Sequence, residues 1–365
     1  MSIATQTLDS TPSTDRRLGE VHFDDIVAAR RLLARELTPT PLVTHPLLSQ
    51  RLGAEAHVKL ENALPLGSFK IRGGVNFVAS LTREERARGL VTATRGNHGQ
   101  SLAHAARRQS VACTVFVPEG NNPDKNAAIA ALGAEVMVTG HDFDAAWEAA
   151  TEHAARSGAI AVHPSREPKL IAGYGTVALE ILDQAAQPLD TVVVPVGGGS
   201  LAAGMGLVFK ALCPHTRVIG VQASAAPALA RAWRTGQMQE VPVGETIADG
   251  LAARVPSPDT VAILREVLDE LIEVSEAEIA GAIRCFAETL HQLAEGAGAA
   301  ALAGALRLQR RIAGQRVGIV LSGGNITAAL LARILHGELQ GPAARGAQLT
   351  ETLADMEYGT RSQER

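Results

Sequence analysis

Thr191-Val192-Val193-Val194-Pro195-Val196-Gly197-Gly198-Gly199-Ser200-Leu201 reads as a buried β-strand running straight into a glycine loop, and the AAGMGLVFKAL that follows Ser200-Leu201 has the composition of a helix. A strand that ends in glycines and turns into a helix is the unit of a βα fold. The same pattern recurs at VTATR (91–95), CTVFVP (113–118), EVMVTG (135–140), AIAVHP (159–164), RVIGVQA (217–223) and RVGIVLSGGN (316–325). Ala-, Leu-, Arg- and Glu-rich segments of helical length separate these runs. The expected fold class is therefore α/β, with parallel or mostly parallel sheets flanked by helices. Most of these strands end in Gly, Asn or Ser, which puts polar loops at their carboxyl ends, where open α/β sheets bind ligands.

Length and charge narrow the partners. A chain of 365 residues exceeds what one core usually organises, about 250–300 residues, so two lobes are expected. A net charge of -4 without a long basic block disfavours nucleic acid or an anionic membrane and points to a small molecule. Cys113, Cys213 and Cys285 form no C-x-x-C pair, so neither a disulfide framework nor a thiolate metal site is expected, and a reducing cytoplasm fits. The first twenty residues lack the apolar run of a signal peptide, and no segment reaches the roughly 18 apolar residues of a membrane span. Residues 1–20 and 338–365 read as flexible tails.

Four loops carry candidate chemistry. Pro65-Leu66-Gly67-Ser68-Phe69-Lys70-Ile71-Arg72-Gly73-Gly74 contains one of only five lysines among 34 basic residues. Arginine stays protonated, whereas lysine can be tuned to a neutral nucleophile, so Lys70 is either a reactive amine or a surface lysine beside a helix start. Gly197-Gly198-Gly199-Ser200 between strand and helix offers backbone N–H groups to a phosphate, or is a tight turn without a ligand. It lacks both the P-loop lysine and the full GxGxxG spacing, so a monophosphate suits it better than a nucleotide. Thr94-Arg95-Gly96-Asn97-His98-Gly99-Gln100 and Ser322-Gly323-Gly324-Asn325 each follow a strand and offer donors to a substrate or a cofactor ring. Glu295-Gly296-Ala297-Gly298-Ala299 adds a carboxylate that is either part of the site or a helix-start stabiliser.

Read in order, SFKIRGG, TRGNHG, PVGGGSLAAG, EGAGA and LSGGN resemble the threonine/serine dehydratase and serine racemase family of fold-type II pyridoxal 5'-phosphate (PLP) enzymes. The likeness extends from LTPTPLVTHPLLSQRLGAEAHVKLEN through IAGYGTVALEI, covering about residues 25–335. The resemblance implies a two-lobed fold of the tryptophan synthase β type. A large PLP-binding domain would comprise 21–67 plus 169–337, and a small domain 68–168, with the cofactor in the cleft. It further implies that Lys70 carries PLP and removes the Cα proton, that Phe69 lies beside the ring, and that Asn97 bonds its hydroxyl. Gly197, Gly198, Gly199, Ser200 and Leu201 would hold the phosphate, Ser322 would meet the pyridine nitrogen, and Glu295 would belong to the cofactor site. Ser68, Thr94, Arg95, Gly96 and His98 would form the substrate side. A homodimer, or a higher homo-oligomer, is implied as well.

The activity implied is elimination of the β-hydroxyl of threonine or serine, giving a 2-oxo acid and ammonia. Ser322 supports this outcome physically, because a neutral hydroxyl cannot hold the ring nitrogen protonated as an aspartate would, and that disfavours transamination. Several positions depart from the family. Arg95 replaces the serine that returns a proton in serine racemase, so racemisation is disfavoured, and it could instead pair with a second carboxylate, as on 3-hydroxyaspartate, or turn outward. Gln222, Pro227 and Ala228 stand where relatives have metal-binding carboxylates, so no metal is expected there. Tyr174 stands where many dehydratases have glutamine. The chain also ends about thirty residues after the last motif, so the regulatory domain of biosynthetic threonine dehydratases is not expected. The competing readings are β-replacement or racemisation with the same cofactor, a PLP-binding protein without turnover, and a nucleotide-binding α/β protein.

Overall fold

The computed structural model describes residues 21–339. The tail expected at 1–20, and all but the first two residues of the one expected at 338–365, lie outside the described residues.

Among the described residues ten strands form two sheets. The first comprises β1 (Leu42–Thr44), β2 (Glu55–Leu60), β7 (Thr191–Pro195), β8 (Arg217–Ala223), β9 (Glu270–Val274) and β10 (Arg316–Leu321), in the order β1-β2-β10-β7-β8-β9. Only the β1–β2 pair is antiparallel. The second comprises β3 (Leu90–Ala93), β4 (Cys113–Val117), β5 (Glu135–Val138) and β6 (Ile160–Ala161), all parallel, in the order β5-β4-β3-β6. β7 is buried at all five positions, which is why its residues form an unbroken apolar run rather than an alternating one. Helices Ser200–Leu212 and Gly296–Arg307 contact it, and the second is built almost wholly of Ala and Gly, so its backbone lies close to the sheet.

The strand orders locate the binding region. In the first sheet the chain steps from β7 to β8 to β9 in one direction, then crosses back to place β10 on the other side of β7. In the second it steps from β3 to β4 to β5, then returns to place β6 on the other side of β3. Each reversal leaves a crevice outside the carboxyl ends of the two central strands. The loops after β7 and β10, and those after β3 and β6, all line one cavity.

A buried ionic network anchors the helix that begins at Lys70. The Arg72 guanidinium donates to both Glu61 oxygens at 2.7 and 2.8 Å and to both Glu180 oxygens at 2.6 and 2.9 Å. The Lys59 ammonium donates to Glu180 at 2.7 Å and to the Thr40 carbonyl at 2.6 Å. Two cations meet two carboxylates, so charge balances where water is excluded.

Candidate active site

The cavity between the two sheets has an empty volume of about 1050 Å³, and Lys70 is in its wall. Helix Lys70–Ala79 is capped by Phe69, whose N–H donates to the Ser322 carbonyl at 3.1 Å, while the Gly324 N–H donates to the Gly67 carbonyl at 2.9 Å. Ser68 and Gly323 form a β-bridge between these contacts, so the lysine loop is zipped to the loop after β10. That zip brings Lys70 and Ser322 into one wall, although 252 positions of sequence separate them.

The Lys70 ammonium lies 4.8 Å from the Phe69 ring centre and 4.9 Å from that of Tyr174. It has no hydrogen-bond or ion-pair partner among the described residues. Burial lowers its pKa to about 8. Part of its surface opens to the cavity, so it is a desolvated but accessible amine. Lys125, the other lysine in the wall, is its electrostatic opposite. All three of its N–H groups are engaged, at 3.0 and 2.7 Å with Asp249 and at 3.0 Å with Glu295. Burial opposes its charge, but the Glu295 and Asp249 carboxylates outweigh that and hold it protonated.

The glycine loop closes another side. Gly199 adopts φ +91°, and a Cβ on Gly198 would lie 1.8 Å from the Ser165 hydroxyl, so this backbone tolerates no side chain. Ser200 and Leu201 begin the thirteen-residue helix Ser200–Leu212, whose first-turn N–H groups have no intrahelical acceptor. The loop after β3 faces it. Thr94 Oγ1 accepts from the Gly96 and Gly99 N–H groups at 2.9 and 3.2 Å, which shapes the turn into helix Asn97–Arg108. The Asn97 amide donates to Glu295 and accepts from Asn325 at 2.8 Å, and Asn325 also donates to the Leu66 carbonyl at 2.9 Å. A carbonyl only accepts, so the Asn325 NH2 faces Asn97, which leaves one Asn97 N–H free of these contacts. His98 Nε2 pairs with the Thr92 hydroxyl at 3.0 Å, and burial, with the Lys70 charge beside it, pushes its pKa down to about 3.

The structure thus brings Lys70, Phe69, Thr94, Arg95, Gly96, Asn97, His98, the 197–201 loop, Glu295 and Ser322 to one cavity. Ser68 does not line it: that side chain is buried, and its hydroxyl has no partner. Glu295 is the residue before helix Gly296–Arg307 but its side chain does not cap it, turning instead to Asn97 and Lys125. Sequence reasoning missed Lys125, Asp249, His163, Ser165 and Ser257, all in the wall. Lysine scarcity was a signal available for Lys125. Gln222 is buried at the end of β8, where its side-chain oxygen accepts from the Ala230 N–H at 2.7 Å. Among the described residues no three His, Cys, Asp or Glu side chains converge as a metal site.

The profile of the pyridoxal-phosphate dependent enzymes matches residues 32–323 of the chain. The chain belongs to this family. It is 39% identical over 316 residues to an L-threonine ammonia-lyase of Thermotoga maritima, covering 87% of this chain and 78% of that one. It is 33% identical over 320 residues to the L-threo-3-hydroxyaspartate ammonia-lyase of Saccharomyces cerevisiae, covering 88% and 98%. Among solved structures, maize serine racemase superposes with a TM-score of 0.81 at 28% identity, covering 87% and 98%. The α/β fold with mostly parallel sheets is that of fold-type II PLP enzymes.

The wall fits PLP on its own chemistry. The glycine cradle that a Cβ would fill suits a phosphate, and the desolvated Lys70 amine suits an aldehyde. Asn97 offers a donor and Ser322 a hydroxyl that is held only by a long 3.5 Å contact to the Ala297 carbonyl. No helix among the described residues is long and apolar enough to cross a membrane.

Proposed function

We propose that this PLP-dependent lyase removes ammonia from a small β-hydroxy amino acid of the threonine or serine type, eliminating the β-hydroxyl and releasing a 2-oxo acid. The observation that carries the reading is Lys70: a buried, unpaired amine in the same wall as the glycine cradle and a neutral Ser322. Bound there, PLP supplies an aldehyde that condenses with amines and a ring that draws electrons from Cα. Lys70 holds the cofactor and, once released, takes the Cα proton. Gly197, Gly198, Gly199, Ser200 and Leu201 hold the phosphate with backbone N–H groups. Asn97 donates to the ring hydroxyl, and Ser322 meets the ring nitrogen without fixing a charge on it, which favours loss of the β-substituent over transamination. The turn from Thr94 to His98 receives the substrate carboxylate, with His98 neutral and shaping the turn. The names of the relatives support the same chemistry.

A second substrate is favoured by one observation. Arg95 is in the wall, and its Nε is buried with no hydrogen-bond partner, a state that a second carboxylate on 3-hydroxyaspartate relieves. A homodimer in the cytoplasm is proposed from the family alone, and sedimentation of the purified protein tests the assembly. The decisive assay measures 2-oxo acid and ammonia from threonine, serine and 3-hydroxyaspartate with PLP-loaded protein and with Lys70→Ala. Equal amounts of both products, absent in the variant, support the reading. No product from any of the three refutes it.

A further inference from the structure

His163 lies two residues after β6 and is in the cavity wall, in a segment that runs on to Ser165 against Gly198. Its Nδ1 accepts a hydrogen bond from the Ser165 N–H at 3.1 Å. A backbone N–H only donates, so Nδ1 carries no proton and the ring is the neutral tautomer with its hydrogen on Nε2. The ring is clamped edge-on by Trp147, with centres 4.7 Å apart, and by Phe143 at 5.9 Å. No hydrogen bond to Nε2 occurs among the described residues, and Nε2 is not among the buried unpartnered atoms, so this donor is open. Burial, then the charge of Arg166, depresses its pKa well below the usual histidine range, in keeping with the neutral form that the hydrogen bond requires. A rigid neutral imidazole N–H in a cavity that also holds the base suits an oxygen that gains charge during the reaction.

We propose that His163 Nε2–H donates to the β-oxygen of the substrate and stabilises it as the Cβ–O bond breaks, making His163 a specificity residue for oxygen leaving groups. The inference rests on the elimination reading above. The Cβ–O electron pair leaves on oxygen, which takes up the proton that Lys70 has removed from Cα, so water departs and charge balances. His163 gives up no proton, and its hydrogen bond strengthens as the oxygen becomes negative. A leaving chloride needs no such proton and accepts hydrogen bonds far more weakly, so its departure does not depend on this donor.

The test compares pyruvate release from serine and from β-chloroalanine by the holoenzyme, His163→Phe and His163→Gln. Phenylalanine keeps the ring for Trp147 and Phe143 but removes the donor, while glutamine restores an N–H on a side chain of similar reach. Loss of one such donor is expected to lower kcat for serine about 100-fold in His163→Phe. β-Chloroalanine turnover is expected to stay within about threefold of wild type, and His163→Gln to recover part of the serine rate. Equal losses on both substrates, or an unchanged serine rate in His163→Phe, overturn the proposal. If His163→Phe does not fold, the ratio of the two substrates in His163→Leu, which also lacks the donor, decides, and an unchanged ratio overturns it. Wild-type protein that releases pyruvate from neither compound overturns this inference, and if threonine and 3-hydroxyaspartate also yield no 2-oxo acid, the elimination reading falls with it.

Discussion

The pKa of Lys70 has a kinetic consequence that can be worked out in advance. Burial lowers it to about 8, so the neutral amine is present above that pH and is lost as pH falls below it. At pH 7.5 about one quarter of the molecules carry the neutral form, against about one in a thousand for an ordinary lysine near 10.4, a difference of roughly 200-fold. The rate at which apoprotein condenses with PLP, divided by the rate with N-acetyl-lysine at the same pH, removes the cofactor's own titration. That ratio should fall as pH rises above about 8, because Lys70 is then already neutral while the free amine continues to deprotonate. The Tyr174 ring, 4.9 Å from the ammonium, is part of what excludes water, and Gly73 lies so close that its Cβ would meet the ring at 2.4 Å. Tyr174→Gln is therefore expected to admit water and move the inflection of the Lys70 rate upward by about one pH unit. A constant ratio from pH 6 to 10, or an inflection unmoved in folded Tyr174→Gln, refutes the account of Lys70 as a desolvated amine.

Other variants test neighbouring parts. Arg72→Met leaves Glu61 and Glu180 with Lys59 as their only cation, a loss of about 3–5 kcal/mol, and the thermal midpoint should fall by at least about 6 °C. Adding Glu61→Gln should return part of that fall, and a change under about 2 °C in Arg72→Met contradicts the network's role. Gly198→Ala drives a methyl into Ser165, and the resulting strain of about 1–3 kcal/mol should weaken PLP binding roughly 10- to 100-fold, measured by titration of apoprotein. Removing the obstacle with Ser165→Gly in the same chain should restore it. Arg95→Ala should cost 3-hydroxyaspartate about 10- to 100-fold in kcat/KM while leaving threonine nearly unchanged, and equal effects on both would show that Arg95 does not read a second carboxylate.

The strands β3 to β8 and β10 were legible because each carries a run of apolar residues, which in β3, β7, β8 and β10 goes with burial on both faces. β2 and β9 were not. In β2 the buried Lys59 is tolerated only because Glu180 and Thr40, distant in sequence, neutralise and satisfy it. In β9 Glu270 and Glu273 interrupt the pattern, and their partners Arg311 and Arg234 lie in other elements. The site divides the same way. Lys70, Asn97, the glycine loop and Ser322 sit in loops whose local composition departs from ordinary turns. Lys125 sits among NNPDKN like a solvent-facing helix start, and only packing across the cavity buries it between Asp249 and Glu295. His163 lies just past the short strand β6, and nothing local shows that its Nδ1 is taken by Ser165. Ser68, placed at the site by its adjacency to Lys70, is buried with an unpartnered hydroxyl and does not line the cavity.

The assignment of Lys70 rather than Lys125 as the cofactor's attachment point is the claim on which the rest depends. Both lysines are in the cavity wall, but only Lys70 is unpaired and partly discharged. Holoprotein treated with borohydride, which fixes an aldehyde to the amine it has joined, can be digested and mapped by mass spectrometry. The account predicts one pyridoxyl-phosphate label on the peptide containing Lys70 and none in Lys70→Ala. A label on the peptide containing Lys125, or one that persists in Lys70→Ala, would contradict it.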